Sequence, residues 1–228
     1  METEIIKDCI HRSLALRRYR DRGFACRVRQ VEQWKLESLR RCYAPLMEKK
    51  ADRALFEYYF SDLFCGIDLT ELKNADKAVG LIQKFFTGTG MVVSGLQFNA
   101  LAQETNEKIA TVVFEESGLD ELNEEIYVTA CHSANVIPDL CAQLDSFAEF
   151  AADLNSTVEN RAVLAGVKLA KIPAKIGGFK NIYNFVADGV NHLKKVDDPE
   201  ALVALFLAHE RQTVLNIQNN SSSIFEVI

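Results

Sequence analysis

Residues 24–46 read FACRVRQVEQWKLESLRRCYAPL. Phe24, Val28, Val31, Trp34, Leu39, Cys42 and Leu46 recur at steps of mostly three and four, the period of a helix with one apolar stripe. Pro45 falls where that helix closes or bends its last turn. No stretch of the chain shows sustained alternation of period two, and there is no internal repeat.

The same rhythm extends outward. Upstream, Ile6, Cys9, Ile10, Leu14 and Leu16 share a face, and Gly23 offers a break, so residues 1–23 read as an N-terminal helical extension. Downstream, ADRALFEYYFSDLFCG (51–66) places Phe56, Tyr59, Phe60 and Phe64 at helical spacing, with Asp52 as a cap and Gly66 as a left-handed stop. Asp68 and Glu71 resemble a capping box for a helix to about Phe86, and the glycines at 88–90 make a turn. A helix over 91–116 follows, then one over 120–134. Pro138 suits the first turn of the next, with Ile137, Leu140, Cys141, Leu144, Phe147, Ala151 and Leu154 as its stripe. Ser156 is positioned to cap a helix over 157–172, which Pro173 and Gly177-Gly178 interrupt. Phe179, Ile182, Tyr183, Val186, Val190 and Leu193 form another stripe. Asp198-Pro199 opens a last helix to about 219, leaving 221–228 as a frayed tail.

Eleven glycines and four prolines in 228 residues leave few turns, hence long helices. The expectation is an all-α fold: a single compact helical domain or bundle of about eight helices over residues 1–220. Six cysteines without C-x-x-C spacing, four of them on apolar stripes, read as buried free thiols of a reducing, cytoplasmic setting. The acid-first opening METEIIKDCI lacks the apolar core of a secretory signal.

Around the aromatic block the chain resembles a known family. YYFSDLF at 58–64 (Tyr58, Tyr59, Phe60, Asp62, Leu63, Phe64) is similar to the signature of the bacterial FFLEELY-motif family. The segment 34–43, the Asp68-Leu-Thr stretch with Asp76, the Phe-Asn-Ala-Leu run at 98–101 and KLAKIPAKIGGFKNIYNFVADG at 168–189 resemble its other segments, so the likeness spans about 28–218. The chain departs where that motif ends in Tyr-Gly: it has Phe64-Cys65, with Gly66 one place later. The resemblance implies a helical protein with no assigned activity.

Three places carry candidate chemistry. The aromatics Phe56, Tyr59, Phe60 and Phe64 either line an apolar pocket for a small molecule or lipid, or are plain core, which base rates favour. A second candidate is the Arg-rich N-terminus, with Arg12, Arg17, Arg18 and Arg20 among seven arginines and one acid in 12–29. The third is Lys168, Lys171 and Lys175 at i, i+3 and i+7, with Lys180 beyond and no acid between Glu159 and Asp188. Val163, Val167, Leu169, Ile172 and Ile176 add apolar surface, the make-up of a helix that rests on an anionic membrane. The alternative is a lysine stripe that faces water or docks on the acidic segment 115–125.

Net charge is −6, but residues 1–53 hold 14 bases against 8 acids, and 102–160 hold thirteen acids against Lys108 alone. Basic and acidic helices packed side by side would account for this. No His-Glu-x-x-His, Glu-x-x-His, Gly-x-Ser-x-Gly or phosphate-loop signature is present, and no cofactor or metal is expected. The leading reading is a non-enzymatic protein that binds another macromolecule through its basic helix faces. The expected partner is a protein, an anionic membrane surface comes second, and the net charge disfavours nucleic acid. Self-association stays open, a pocket protein is the competitor, and an enzyme of unrecognised type ranks last.

Overall fold

In the computed structural model of the chain, which describes residues 2–72, 75–85, 90–221 and 223–228, the segment Gly90–Ala110 becomes the central helix. Met91, Val92, Phe98, Ile109 and the polar Ser94, Asn99, Gln103, Thr105 and Asn106 are all buried. A helix covered on nearly every side belongs in the middle of its domain. Among the described residues there are ten α-helices and no strand: α1 (Glu2–Ala15), α2 (Arg22–Cys42), α3 (Lys50–Tyr58), α4 (Ala75–Phe85), α5 (Gly90–Ala110), α6 (Glu124–Ser133), α7 (Ile137–Glu159), α8 (Arg161–Gly177), α9 (Lys180–Leu193) and α10 (Pro199–Gln218). The all-α expectation holds, with ten helices where about eight were expected. Helices α1, α2 and α7 pack directly on α5, α10 packs on α7, and α9 on α3 and α7. Helix α8 lies outside this set, against α4, α9 and the end of α7.

One contiguous apolar core results. Phe206 of α10 sits among Tyr43, Phe56, Tyr59, Phe60, Phe64 and Phe147, with ring centroids 5.0 to 6.3 Å away. Aromatic rings at such separations attract one another beyond their burial. Close approach of α9 to α3 depends on Gly189, where a Cβ would stand 2.6 Å from the Tyr58 hydroxyl oxygen.

Side chains close the helix ends as their types require. Asp21, Asn123 and Asp198 accept from the backbone N–H of Phe24, Ile126 and Ala201 at 2.9 to 3.0 Å. Gly66 stops the aromatic helix at φ +86°, and a Cβ there would also strike Gln103.

Several expectations are corrected. Residues 1–23 are no extension: Ile6, Cys9 and Ile10 of α1 are fully buried against α5. The break falls between α1 and Asp21, and Gly23 sits inside the first turn of α2. Lys49, not Asp52, takes the cap position of α3. Asp68 accepts from the Thr70 N–H at 2.8 Å and the Thr70 hydroxyl at 2.6 Å, closing a turn instead of opening a helix; α4 begins at Ala75. The expected helix end near Phe86 lies outside the described residues, and Gly90 already opens α5. Ser156 donates to the Asp153 carbonyl at 2.9 Å within α7, which runs on to Glu159. Helix α8 continues through Pro173 to Gly177. Cys141 and Cys26 are exposed; Cys9, Cys42 and Cys131 are buried.

The tail is docked, not frayed. Ile224 is fully buried, and the Phe225 ring lies 5.5 Å from that of Trp34. The Ile224 N–H donates to Glu124 at 3.1 Å and the Ile228 N–H to the Cys42 carbonyl at 3.2 Å. Two apolar anchors outweigh the polar NNSSS run that precedes them.

Candidate functional site

The arginines of the N-terminal region turn inward to acids of the long acidic segment. Arg12 makes a two-pronged contact with Glu104 at 2.8 and 2.6 Å. Arg17 reaches Asp21 and Glu115, Arg27 reaches Asp120, and Arg41 approaches Glu124. Arg18 is nearly buried and serves three acceptors: Glu32 at 2.5 Å, Glu107 at 3.1 Å and the Gln103 carbonyl at 2.9 Å. Burial pushes the Glu32 carboxyl above its ordinary value, a rise that the Arg18 guanidinium only partly offsets. Arg20 alone of the four candidates is exposed with no ion pair among the described residues. Three of the four therefore hold the fold together.

The aromatic block is interior. Phe56, Phe60 and Tyr59 are buried to within one per cent; Phe56 stacks on Phe60 and all three pack on Phe206. The cavity that touches this block, beside Phe64, has a volume of about 30 Å³. That is room for a water or two, against the several hundred Å³ of a small-molecule pocket. The Tyr58 hydroxyl donates to the Phe185 carbonyl at 3.0 Å, and that of Tyr59 has no partner among the described residues. Beyond Phe60, Leu63 is fully buried, while Asp62 lies at a polar groove with Asp68, Asn181 and Asp188. Among the described residues no group of three His, Cys, Asp or Glu is arranged to hold a metal. Burial holds the thiols of Cys9 and Cys42 up to about 11 and those of Cys65 and Cys131 up to about 12, so all four stay protonated at neutral pH.

Polar core residues were not legible from the pattern. Asn99, Gln103 and Asn106, one face of α5, clamp the end of the aromatic helix. Asn99 accepts from the Ile67 N–H at 2.5 Å, Gln103 donates to the Ile67 carbonyl at 3.0 Å and Asn106 to the Phe64 carbonyl at 3.1 Å. The Lys35 ammonium is buried, donates to Asn106 at 3.1 Å, and is pushed down in pKa by that burial. Tyr43 donates to the buried Glu210 at 2.7 Å and lies 3.0 Å from His209. The spacing of these amides along α5 was the one available signal; which carbonyls they meet depends on folding.

Helix α8 has the opposite character. Val167, Ala170 and Ala174 form its inward face, whereas the sequence reading placed Val167 on the outer surface. Leu169, Ile172 and Ile176 face solvent at 71, 71 and 79% exposure. At about 100° per residue these three fall within roughly 60° of one another and opposite the buried side. Lys168, Lys171 and Lys175 run along one flank, and these and Lys180 are all exposed. Among the described residues none of the four pairs with an acid, and the acidic segment they were candidates to dock on is occupied by Arg17, Arg27 and Arg41. Val163 lies outside the described side chains. Other large exposed apolar residues, such as Leu119, Leu205 and Leu215, are scattered singly; those of α8 form one ridge.

No helix among the described residues is long and apolar enough to cross a membrane. No curated protein and no solved structure matches the chain. A domain-family profile with the description "Domain of unknown function (DUF8198)" matches residues 15–223. That match takes in α2 to α10, and with them Arg17, Arg18 and their acidic partners and the α8 ridge, but neither Arg12 nor the docked residues 224–228. The chain therefore belongs to the DUF8198 family.

Proposed function

We propose that this chain is a non-enzymatic docking protein whose working surface is the outer face of α8. One observation carries the reading: three large aliphatic side chains stand in water opposite the face that buries Val167, Ala170 and Ala174. Each forgoes most of the roughly 1.5–3 kcal/mol that burial would return, and contiguous apolar ridges of this kind mark contact surfaces. The lysine flank adds a sign preference: the surface met by α8 is acidic. Arg12, Arg17 and Arg18 are not part of this surface, because their charge is already matched inside the fold. The reading includes a cytoplasmic location. The likeness of residues 58–64 to the FFLEELY signature fits it, since most of those side chains are core and leave the work to the exterior.

A photo-activated cross-linking residue placed at Ile172, with the same residue at Leu215 of α10 as control, tests the proposal in living cells. Discrete adducts at position 172, absent at 215 and lost when Lys168, Lys171 and Lys175 are changed to Glu, are expected. Equal labelling at both positions, indifferent to charge reversal, would reject it.

A further inference from the structure

Building on the docking role of α8, we infer that its occupant is the surface of an anionic lipid bilayer, on which the helix lies flat with Leu169, Ile172 and Ile176 immersed among the headgroups. Shape is the first argument. The three side chains crown the outer face of α8 as a ridge that projects into solvent. A protein partner would need a groove cut to match; a fluid interface accepts a ridge as it stands.

Charge is the second. Residues 160–187 hold Arg161, Lys168, Lys171, Lys175 and Lys180 and no acid, a charge of +5 within a chain of net −6. The remainder is thus −11. An anionic surface attracts this face and repels the rest, which fixes the orientation of the molecule as well as its attraction. The lysine heads stand beside the apolar crest, where long stems let the ammonium groups reach the phosphate level while the crest enters. A second copy of the chain is a poorer occupant, because two α8 faces brought together would set lysines against lysines.

The structural cost of contact is small. Helix α8 is already formed, from Arg161 to Gly177, and its inner face is already packed. Binding therefore pays no folding entropy, unlike peptides that become helical only on the membrane. Three aliphatic side chains and four or five cations give a reversible attachment, far short of the permanence of a spanning helix.

Flotation of the full chain with lipid vesicles tests this directly. Vesicles of phosphatidylcholine with about one-third phosphatidylserine should carry the protein upward, phosphatidylcholine alone should not, and raising salt to about 0.5 M should release most of it. Changing Lys168, Lys171 and Lys175 together to Glu should weaken binding at least about fivefold per lysine, and changing all three to Arg should leave it intact. The triple variant Leu169→Ser, Ile172→Ser, Ile176→Ser should bind at least tenfold more weakly with its helical circular dichroism unchanged, so that misfolding is not the cause. No flotation on the anionic vesicles at low salt, or flotation of both the Glu and the Ser triple variants like the wild type, overturns the inference. If flotation fails while charge-sensitive adducts to a protein still form at position 172, the bilayer is the wrong occupant but the docking role survives. If both fail, α8 is not a working surface.

Discussion

Two basic regions of this molecule carry similar charge and meet opposite fates. The arginines at 12, 17, 18, 27 and 41 each find an acid across the fold, at sequence separations from 14 to 98 residues. The lysines at 168, 171, 175 and 180 find none among the described residues, and the first three share their helix with exposed Leu169, Ile172 and Ile176. The residue types suit the two outcomes. A planar guanidinium with five donors serves several fixed carboxylate and carbonyl oxygens at once, as Arg18 does, whereas a compact, strongly hydrated ammonium on a flexible stem suits a solvent-facing flank. A run of positive charge therefore signals an external partner only when the fold has not already supplied an internal one.

The sharpest way to break this contrast is at Arg18. Changing Arg18 to Met leaves the nearly buried Glu32 and Glu107 without their cation, and breaking such a pair from one side costs about 3–5 kcal/mol. Urea unfolding should record that loss, while Arg20→Met, at the exposed neighbour, should change stability by less than about 0.5 kcal/mol. Equal effects at 18 and 20 would mean that the arginine network does not hold the fold.

The tail closes over the same side of the molecule. Its Ile224 N–H binds Glu124, the carboxylate that also faces Arg41 at 3.7 Å. Deleting residues 221–228 uncovers the packing of Ile224 and Phe225, an expected loss of about 2–4 kcal/mol. Trp34, the single tryptophan, lies against Phe225 and Tyr127, so its emission should shift to the red in the truncated chain. An unchanged spectrum would place the tail elsewhere in solution.

A smaller effect is expected from His209, which joins the tail to the core. Its Nε2 lies 2.9 Å from the Glu226 carbonyl and its Nδ1 3.0 Å from the Tyr43 hydroxyl, which in turn donates to Glu210. Bonding toward Glu210, and to a smaller extent toward Glu226 of the tail, raises the imidazole above its ordinary value of 6.5, against the opposing pull of burial. A group raised in the folded state contributes fully below its unfolded value and loses that contribution as pH climbs through the folded one. Tail docking should thus be tighter at pH 6 than at pH 8, by less than about 1 kcal/mol after solvent screening. Hydrogen exchange of the 224–228 amides, corrected for intrinsic rates, measures it. His209→Gln should abolish the difference.

What could be read from the sequence divides along physical lines. Periodic stripes and local punctuation were sufficient for most helices: Gly66 in a left-handed turn, Pro138 in a first turn and Asp198 as a cap all act over a few residues. The widening of the helix over Tyr59–Phe64 and again over Thr111–Glu116 into π turns had no local mark; the first packs on α5 and ends in the amide clamp. Pro173 was misread as a stop, and Ser156 as a cap, because both residues also occur inside helices when their neighbours hold the turn. The pairing of Arg18 with Glu107 was hidden for a simpler reason: 89 residues separate them. On α8 the sequence carried both apolar and cationic character but not the rotation of the helix, so it could not say which apolar residues were spent on the core. Val167, Ala170 and Ala174 turned inward, and Leu169, Ile172 and Ile176 were left outside.

The smallest expected effect is the most informative about that rotation. Changing Lys168, Lys171 and Lys175 to Glu should alter stability by no more than about 0.5 kcal/mol, because no internal partner is lost and the three sites are solvated. Serine at Leu169, Ile172 and Ile176 should cost equally little, since side chains that remain in water contribute little burial to the folded state. Helix propensity alone sets a penalty of a few tenths of a kcal/mol per serine. Thermal or urea unfolding that instead showed losses above about 2 kcal/mol in either variant would mean that α8 presents a different face to the core. The unpaired lysines and the aliphatic ridge would then be structural, and the contrast with the arginines would disappear. Near-zero losses, set beside the large loss at Arg18, would leave an outward-facing α8 ridge as the arrangement that accounts for both.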